Sequence, residues 1–290
     1  MVEAAEALGS LGAPEAGPVL TGLLRHPSDH VRQTVAQALE RTADAGLIDG
    51  LLRGLDDPGE TVRFSLLGAL SRAAGAGQPI PVETRKRLVE RLEGLLKRDA
   101  DPGVRSRAAT VLGECGTADE LPMLWQQVLT STEGRVQEKA WEAFVEVLVR
   151  AGSVPLVERW ERTLIEAKQG ARRVALWTRV QARWELQPAT REQAGRAVEG
   201  LVQAQLDAGK WAAAAPLVLI LLARTVDATE AQRSRWLRWV AQVGELALAE
   251  GNRAEAVRVL QEARPYLPKS HPLAERFDAL EKQAGAAKPQ

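Results

Sequence analysis

The most informative stretch of this chain is Val31-Arg32-Gln33-Thr34-Val35-Ala36-Gln37-Ala38-Leu39, because its pattern returns several times. It recurs at residues 62–70 and 104–112, and in weaker form at residues 136–144. Successive copies begin 31, 42 and 32 residues apart. A repeat of this length is typical of a solenoid, in which each unit buries its apolar face against the next unit.

Each repeat is predicted to contain two helices separated by a polar turn. The first helix has apolar residues three and four positions apart, as in residues 47–55. Turns such as residues 26–29 and 56–59 should stop that helix, and an aspartate or serine should cap the next one. Small residues in the second helix, such as Ala36 and Ala69, allow close helix packing. The pattern predicts an all-α fold, a right-handed α-solenoid of stacked antiparallel helical hairpins.

Residues 2–150 resemble HEAT repeats of the compact bacterial type, whose core reads Asp-x-x-Val-Arg-x-x-Ala-Ala-x-Ala-Leu-Gly. Three repeats match this core well. In the fourth, Gln137 replaces the arginine and Trp141 replaces a small residue. The resemblance implies a structural ladder between adjacent repeats, formed by the pairs Asp29/Arg32, Asp57/Arg63 and Asp101/Arg105.

The chain begins with half of a repeat. Residues 2–12 read as the second helix of a unit whose first helix is missing. We therefore expect the chain to be a fragment of a longer solenoid, so a targeting signal upstream of the start would not be seen.

The second half of the chain departs from this pattern. The repeat signature stops after about Ser153, although the helix-forming composition continues. Residues 229–268 resemble one tetratricopeptide repeat, with two of that family's aromatic positions filled by Val240 and Ala247. The predicted domains are a HEAT-repeat solenoid at 1–152, further helical hairpins at 153–285 that end in the tetratricopeptide-like unit, and a frayed tail at 286–290.

Composition limits the class of protein. The 290 residues carry 38 basic and 38 acidic side chains, with a net charge of −5 in residues 1–150 and +5 in residues 151–290. Proteins that bind phosphate backbones usually carry a basic excess, so a nucleic-acid partner is not favoured. One cysteine, Cys115, fits a reducing compartment. No apolar run reaches the roughly 18–20 residues that span a bilayer, and no signal peptide is visible. We expect a cytoplasmic protein.

The residue types that carry catalysis are sparse in this sequence. His26 and His30 lie where each repeat places its turn, so we interpret them as turn residues rather than metal ligands. No nucleophile has a base at a spacing that the sequence can show. We predict no cofactor, no metal and no enzymatic activity.

Arginines and tryptophans concentrate in the second half. Arg172, Arg179 and Arg183 are seven and four residues apart and would share one helical face. Because arginine and tryptophan are enriched at interface hot spots, the candidate partner-binding residues are Arg172, Arg179, Arg183, Arg235, Trp236 and Trp239. The alternatives are a solvated helical face for the arginines and core filling for the tryptophans.

These observations favour a non-enzymatic scaffold that binds another, unidentified protein along an extended solenoid surface. A nucleic-acid-binding protein of the HEAT-like type is the first alternative. A bilin-lyase-like protein is a more remote one, and it depends on fold analogy alone.

Overall fold

A computed structural model of the protein describes residues 2–11, 14–75, 79–186, 191–224 and 228–285. All regular secondary structure in these residues is helical, and the predicted all-α solenoid fold is confirmed. The contacts divide the chain into two compact units, unit 1 (Met1–Ala151) and unit 2 (Gly152–Gln290). The tail predicted to fray, 286–290, lies outside the described residues. Among the helices described, none is both long enough and apolar enough to cross a membrane.

Unit 1 consists of paired helices joined by short turns. The helices are α1 (Val2–Leu11), α2 (Gly17–Leu23), α3 (Asp29–Thr42), α4 (Ile48–Gly54), α5 (Glu60–Gly75), α6 (Val82–Arg98), α7 (Pro102–Cys115), α8 (Leu121–Thr130) and α9 (Gly134–Ala151).

The helices of unit 1 stack in a regular order. Helices α1, α3, α5, α7 and α9 form a row in which each packs against the next, and α2, α4, α6 and α8 each pack against the helix that follows. Residues of the repeated stretch, such as Leu39, Leu70 and Leu112, are completely buried in this stack. The apolar stripe of each hairpin is thus covered by neighbouring hairpins, as in a solenoid.

The turns of unit 1 use their aspartates in different ways. The Asp101 carboxylate caps α7 by accepting a hydrogen bond from the backbone N–H of Val104 at 2.8 Å. The Asp57 carboxylate accepts one from the N–H of Gly59 at 2.9 Å, inside the turn. Ser28 occupies the N-cap of α3 but its side chain accepts no cap hydrogen bond, contrary to our expectation.

Unit 2 is also built from consecutive helices. They are α10 (Val154–Glu166), α11 (Gly170–Leu186), α12 (Arg191–Asp207), α13 (Trp211–Arg224), α14 (Glu230–Ala249), α15 (Arg253–Ala263) and α16 (Ala274–Gly285). Each packs against the next, and α10, α12, α14 and α16 also make contacts in that order.

Large aromatic side chains fill the core of unit 2. Trp177, Trp184 and Trp236 are among the largest completely buried side chains of the chain. Helix α14 ends at Ala249, and Gly251 in the turn after it has a φ of +82°, in the left-handed region that favours glycine. The hairpin of α14 and α15 is the segment with the tetratricopeptide-like spacing. Its assignment to that family stays a prediction.

Candidate functional site

The arginines of the repeated stretch are engaged in structural contacts. Arg32 Nε donates to Asp57 Oδ2 at 2.6 Å, Arg63 Nε donates to Asp99 Oδ2 at 2.8 Å, and Arg105 Nη2 lies 2.8 Å from Glu133 Oε1. Each guanidinium therefore contacts an acid in the turn of the following repeat. The same arginines also donate to backbone carbonyls of their own turn.

The acids in these contacts differ in part from the ladder pairs implied by the resemblance. Asp29 contacts Arg32 at 3.3 Å, within the same helix, whereas Asp57 contacts Arg32 rather than Arg63 through its side chain. Asp101 caps its own helix, and Asp99 accepts the hydrogen bonds from Arg63. Sequence reasoning missed Asp99, although it precedes Arg105 by six residues, as Asp57 precedes Arg63.

The ion pair between Arg63 and Asp99 is mostly buried. Burial alone would raise the pKa of the Asp99 carboxyl, but hydrogen bonds from Arg63 and from the backbone N–H of Asp101 outweigh burial and hold the pKa below its usual range. The hydrogen bond with Asp99 also raises the pKa of Arg63. These charges stabilise the stack, so they are poor candidates for contacting a partner.

The candidate arginines of α11 do not form a single exposed patch. Arg172 is half-buried and donates to Gln169 Oε1 at 3.3 Å, and burial lowers the pKa of its guanidinium. Arg179 and Arg183 are exposed. The adjacent Arg173 is buried and forms ion pairs with two acids, Glu161 and Asp207.

The two candidate tryptophans are core residues. Trp236 and Trp239 are 2% and 6% exposed. Their indole N–H groups donate to Glu199 Oε1 at 2.9 Å and to Gln203 Oε1 at 2.8 Å, which satisfies both buried donors. This burial favours the alternative of core filling for both rings, because irregular hairpins leave gaps that a large ring fills. Contact of Trp236 or Trp239 with a partner stays a prediction.

A cleft of about 320 Å³ in unit 2 brings several of these residues together. Three arginines and three glutamates line it: Arg173, Arg196, Arg235, Glu158, Glu161 and Glu199. We call it the Glu199 cleft.

Apolar and amide groups complete the lining of this cleft. Trp177, Gly200, Gln203 and Trp239 all contribute to it. A Cβ atom at Gly200 would lie 2.4 Å from the Trp177 ring, so only glycine lets the ring lie against α12 here. The indole N–H of Trp177 is buried and has no hydrogen-bond partner among the described residues.

Glu199 connects the charged groups of the cleft. It is only 4% exposed, and it accepts from Trp236 and forms ion pairs with Arg196 and, at 3.4 Å, with Arg235. Arg196 also donates to Glu158 Oε1 at 2.6 Å. Although burial lowers the pKa of Arg196, its contacts with Glu158 and Glu199 outweigh burial and raise it. The network fixes the arginine side chains in place while about half of Arg196 and Arg235 stays exposed.

Two side chains with reactive groups, Cys115 and His26, lie in unit 1. Cys115 is buried, and burial, followed by the charge of Glu114, raises the pKa of its thiol to about 12. His26 lies in the turn after α2, where its Nδ1 accepts from the backbone N–H of Ser28 at 3.1 Å. Among the described residues, no group of three or more His, Cys, Asp or Glu side chains is arranged to hold a metal ion.

One family model matches part of this chain. Residues 2–71 match the model of the family described as HEAT repeats, which supports the resemblance for that part of the chain. A search of curated proteins found no match.

Several solved structures are similar to this chain at low identity. A designed armadillo repeat protein is 15% identical, with 92% of this chain and 99% of that chain covered and a TM-score of 0.35. The complex of CpcE and CpcF of phycocyanin lyase from Nostoc is 19% identical, with 92% and 94% covered and a TM-score of 0.37. Importin beta is 19% identical, with 98% of this chain but 39% of that chain covered and a TM-score of 0.41. TM-scores this low say nothing about what the chain binds.

Proposed function

We propose that this chain is a non-enzymatic scaffold that binds another protein, and that the Glu199 cleft of unit 2 is a principal contact site. The exposed Arg179 and Arg183 of α11 are further candidate contacts. Cytoplasmic localisation is part of the proposal, on the basis of the single and buried Cys115.

The observation that carries the proposal is the composition of the cleft. Its lining has two half-exposed arginines, Arg196 and Arg235, beside the buried rings of Trp177 and Trp239. Arginine is among the residue types most enriched at the energetic centres of protein interfaces, so these two arginines are the expected contacts with a partner. A cleft of about 320 Å³ is large enough to receive one or two side chains of a partner.

The charges of the cleft suit binding because they are already held in position. Each of the six charged groups in the lining forms an ion pair with another group, and Glu199 is fixed further by the Trp236 N–H. A guanidinium that is oriented before a partner arrives loses less side-chain entropy on binding. Arg196 and Arg235 therefore offer preorganised donors to a carboxylate or backbone carbonyl of a partner.

Substitution of Arg235 tests this proposal. Arg235→Ala removes one half-exposed donor from the cleft but leaves Glu199 with Trp236 and Arg196. We expect the thermal midpoint to change little, because the Arg235 contact is long at 3.4 Å and the buried Glu199 keeps its contacts with Arg196 and Trp236. Partner capture from a lysate of the source cells should fall strongly.

Arg276→Ala is the matched control. Arg276 is in the same unit, has an exposed fraction of 44% against 43% for Arg235, and also forms one ion pair, with Glu245. If the proposal holds, mass spectrometry will identify a partner protein that is captured by the wild type and by Arg276→Ala but not by Arg235→Ala. Equal retention by all three chains would contradict it.

A further inference from the structure

A second cleft lies in unit 1, between α2 and α4. Its volume is about 410 Å³, and glycines contribute an unusual share of its lining. These glycines are Gly22 on α2 and Gly50 and Gly54 on α4. We call this cleft the α2–α4 groove.

Two of these glycines are explained by close contact between the helices. A Cβ atom at Gly50 would lie 3.2 Å from Thr21 Cγ2, and one at Gly54 would lie 2.6 Å from Leu66 Cδ1 of α5 and 3.1 Å from Leu24 Cδ1. Gly22 is different, because a Cβ atom there would meet nothing within 4 Å. Glycine in a helix costs about 1 kcal/mol relative to alanine, so contacts within the chain give no reason for glycine at this position. Its effect is to leave the groove open.

The charge of the groove is uncompensated. Arg25, just after α2, and Arg53, on α4, both line it and are exposed. Neither has a carboxylate partner among the described residues, and no acidic residue lines the groove there. Residues 1–150 carry a net charge of −5, so this pair of arginines forms a local positive patch in an acidic part of the chain.

On α6, which follows α4 in the sequence order of the first helices of the hairpins, two arginines are already paired with acids. Arg87 lies 3.0 Å from Asp49, and Arg91 forms an ion pair with Asp56. These pairs neutralise the neighbouring arginines. Proteins that bind a phosphate backbone neutralise several phosphates with lysines and arginines, whereas this groove offers two arginines.

We infer that the α2–α4 groove binds an acidic segment of a partner protein, whose carboxylates contact Arg25 and Arg53 while an apolar side chain lies over Gly22. The site is in the other unit from the Glu199 cleft, and neither depends on the other. Guanidinium groups bind carboxylates through two parallel hydrogen bonds, and the open helix surface at Gly22 gives the segment room to lie close to α2.

A labelled peptide tests this inference directly. The probe is the fluorescein-labelled hexapeptide Glu-Asp-Leu-Glu-Asp-Ser, and its neutral control is Gln-Asn-Leu-Gln-Asn-Ser. Fluorescence anisotropy with the full chain at low salt should show saturable binding of the acidic peptide and at least about tenfold weaker binding of the neutral one.

Three variants locate the binding. Reversal of both charges in Arg25→Glu/Arg53→Glu should weaken binding at least about tenfold. Arg72→Glu/Arg98→Glu makes the same charge change at two other exposed arginines of unit 1 and should bind as wild type. Gly22→Met fills the groove and should weaken binding without lowering the thermal midpoint, because the new side chain starts in open space.

Three results would overturn the inference. The first is equal binding of the acidic and neutral peptides. The second is equal loss in the two charge-reversal variants, which would mean that only net charge matters. The third is binding of a labelled DNA duplex, abolished by Arg25→Glu/Arg53→Glu, without binding of the acidic peptide. These results do not depend on Arg235, so they are independent of the test of the Glu199 cleft.

Discussion

In unit 1, one guanidinium links the turns of two neighbouring repeats. Arg63 Nη1 donates to the backbone carbonyl of Asp57 at 2.9 Å, in its own turn, while its Nε and Nη2 donate to the Asp99 carboxylate at 2.8 and 2.9 Å. The exposed fractions of the two side chains are 14% and 5%. Loss of the carboxylate would therefore leave a mostly buried cation without its counterion.

Asp99→Asn should lower the free energy of unfolding by about 1–3 kcal/mol, because it removes the charge from a buried hydrogen-bonded pair. Asp101→Asn is the matched control two residues away. Asparagine caps a helix as well as aspartate does, so this variant should lose little stability. Urea denaturation of the wild type and the two variants at pH 7 measures both effects. A larger loss of stability in Asp101→Asn than in Asp99→Asn would refute the role of Asp99 as the buried counterion of Arg63.

The effect of Asp99→Asn should also depend on pH. Because the folded pKa of Asp99 is lower than the unfolded value, its stabilising contribution is complete above about pH 4 and is lost as the pH falls through the folded pKa. The difference between wild type and Asp99→Asn should be full at pH 7 and narrow at lower pH. A difference that grows on acidification would contradict the depressed pKa.

At the scale of single residues, local contacts could be predicted and distant ones could not. Arg105 donates to the backbone carbonyl of Asp99 at 2.5 Å, six residues earlier, and Gln137 donates to that of Ser131 at 2.6 Å with the same separation. This spacing is visible in the sequence. Glu199 contacts Trp236 across 37 residues, and only the packing of α12 against α14 brings the two together.

At the scale of helices, glycine sets how closely neighbouring elements approach. A Cβ atom at Gly113 of α7 would lie 2.9 Å from the Cα atom of Ala143 on α9. Backbone atoms cannot move aside as a flexible side chain can. The helices would have to separate, and the buried contacts along both would loosen.

Gly113→Ala should therefore destabilise the protein by about 1–3 kcal/mol, the usual cost of overpacking. Gly22→Ala is a control with the same chemical change in another helix of the same unit. Since a Cβ atom at Gly22 meets nothing within 4 Å, that variant should gain up to about 1 kcal/mol from helix propensity. Thermal denaturation followed by circular dichroism compares the two variants. If both change the stability in the same direction, contact between the helices at Gly113 does not determine the effect of the substitution.

The helices of unit 1 were easier to predict than those of unit 2 for a physical reason. Regular hairpins need the same small and apolar residues at each stacking position, so the pattern repeats in the sequence and persists even where Gln137 replaces arginine. In unit 2, tryptophans such as Trp177 and Trp184 fill gaps of different shapes, so no fixed spacing is required. The helix-forming composition predicts the hairpins of unit 2. It predicts neither the register of their helices nor the Glu199 cleft.

At the scale of the whole molecule, the effect of a destabilising substitution is expected to be largest in the helices next to it. Each hairpin in a stacked array contacts mainly the hairpins beside it, so a local defect spreads along the stack before it affects distant elements. The contacts of this chain divide after Ala151 into two compact units. A defect in one unit should therefore leave much of the other unit protected.

Gly113→Ala offers a way to test this distribution by hydrogen exchange with mass spectrometry. The substitution lies between α7 and α9, so peptides from these helices and from α5, which packs against α7, should exchange faster than in wild type. Peptides from α12 and α14 in unit 2 should keep their wild-type rates, because their buried core, with Trp236 and Val240, is formed within that unit. If the two units instead unfold as one, exchange in α12 and α14 will accelerate by the same factor as in α7 and α9.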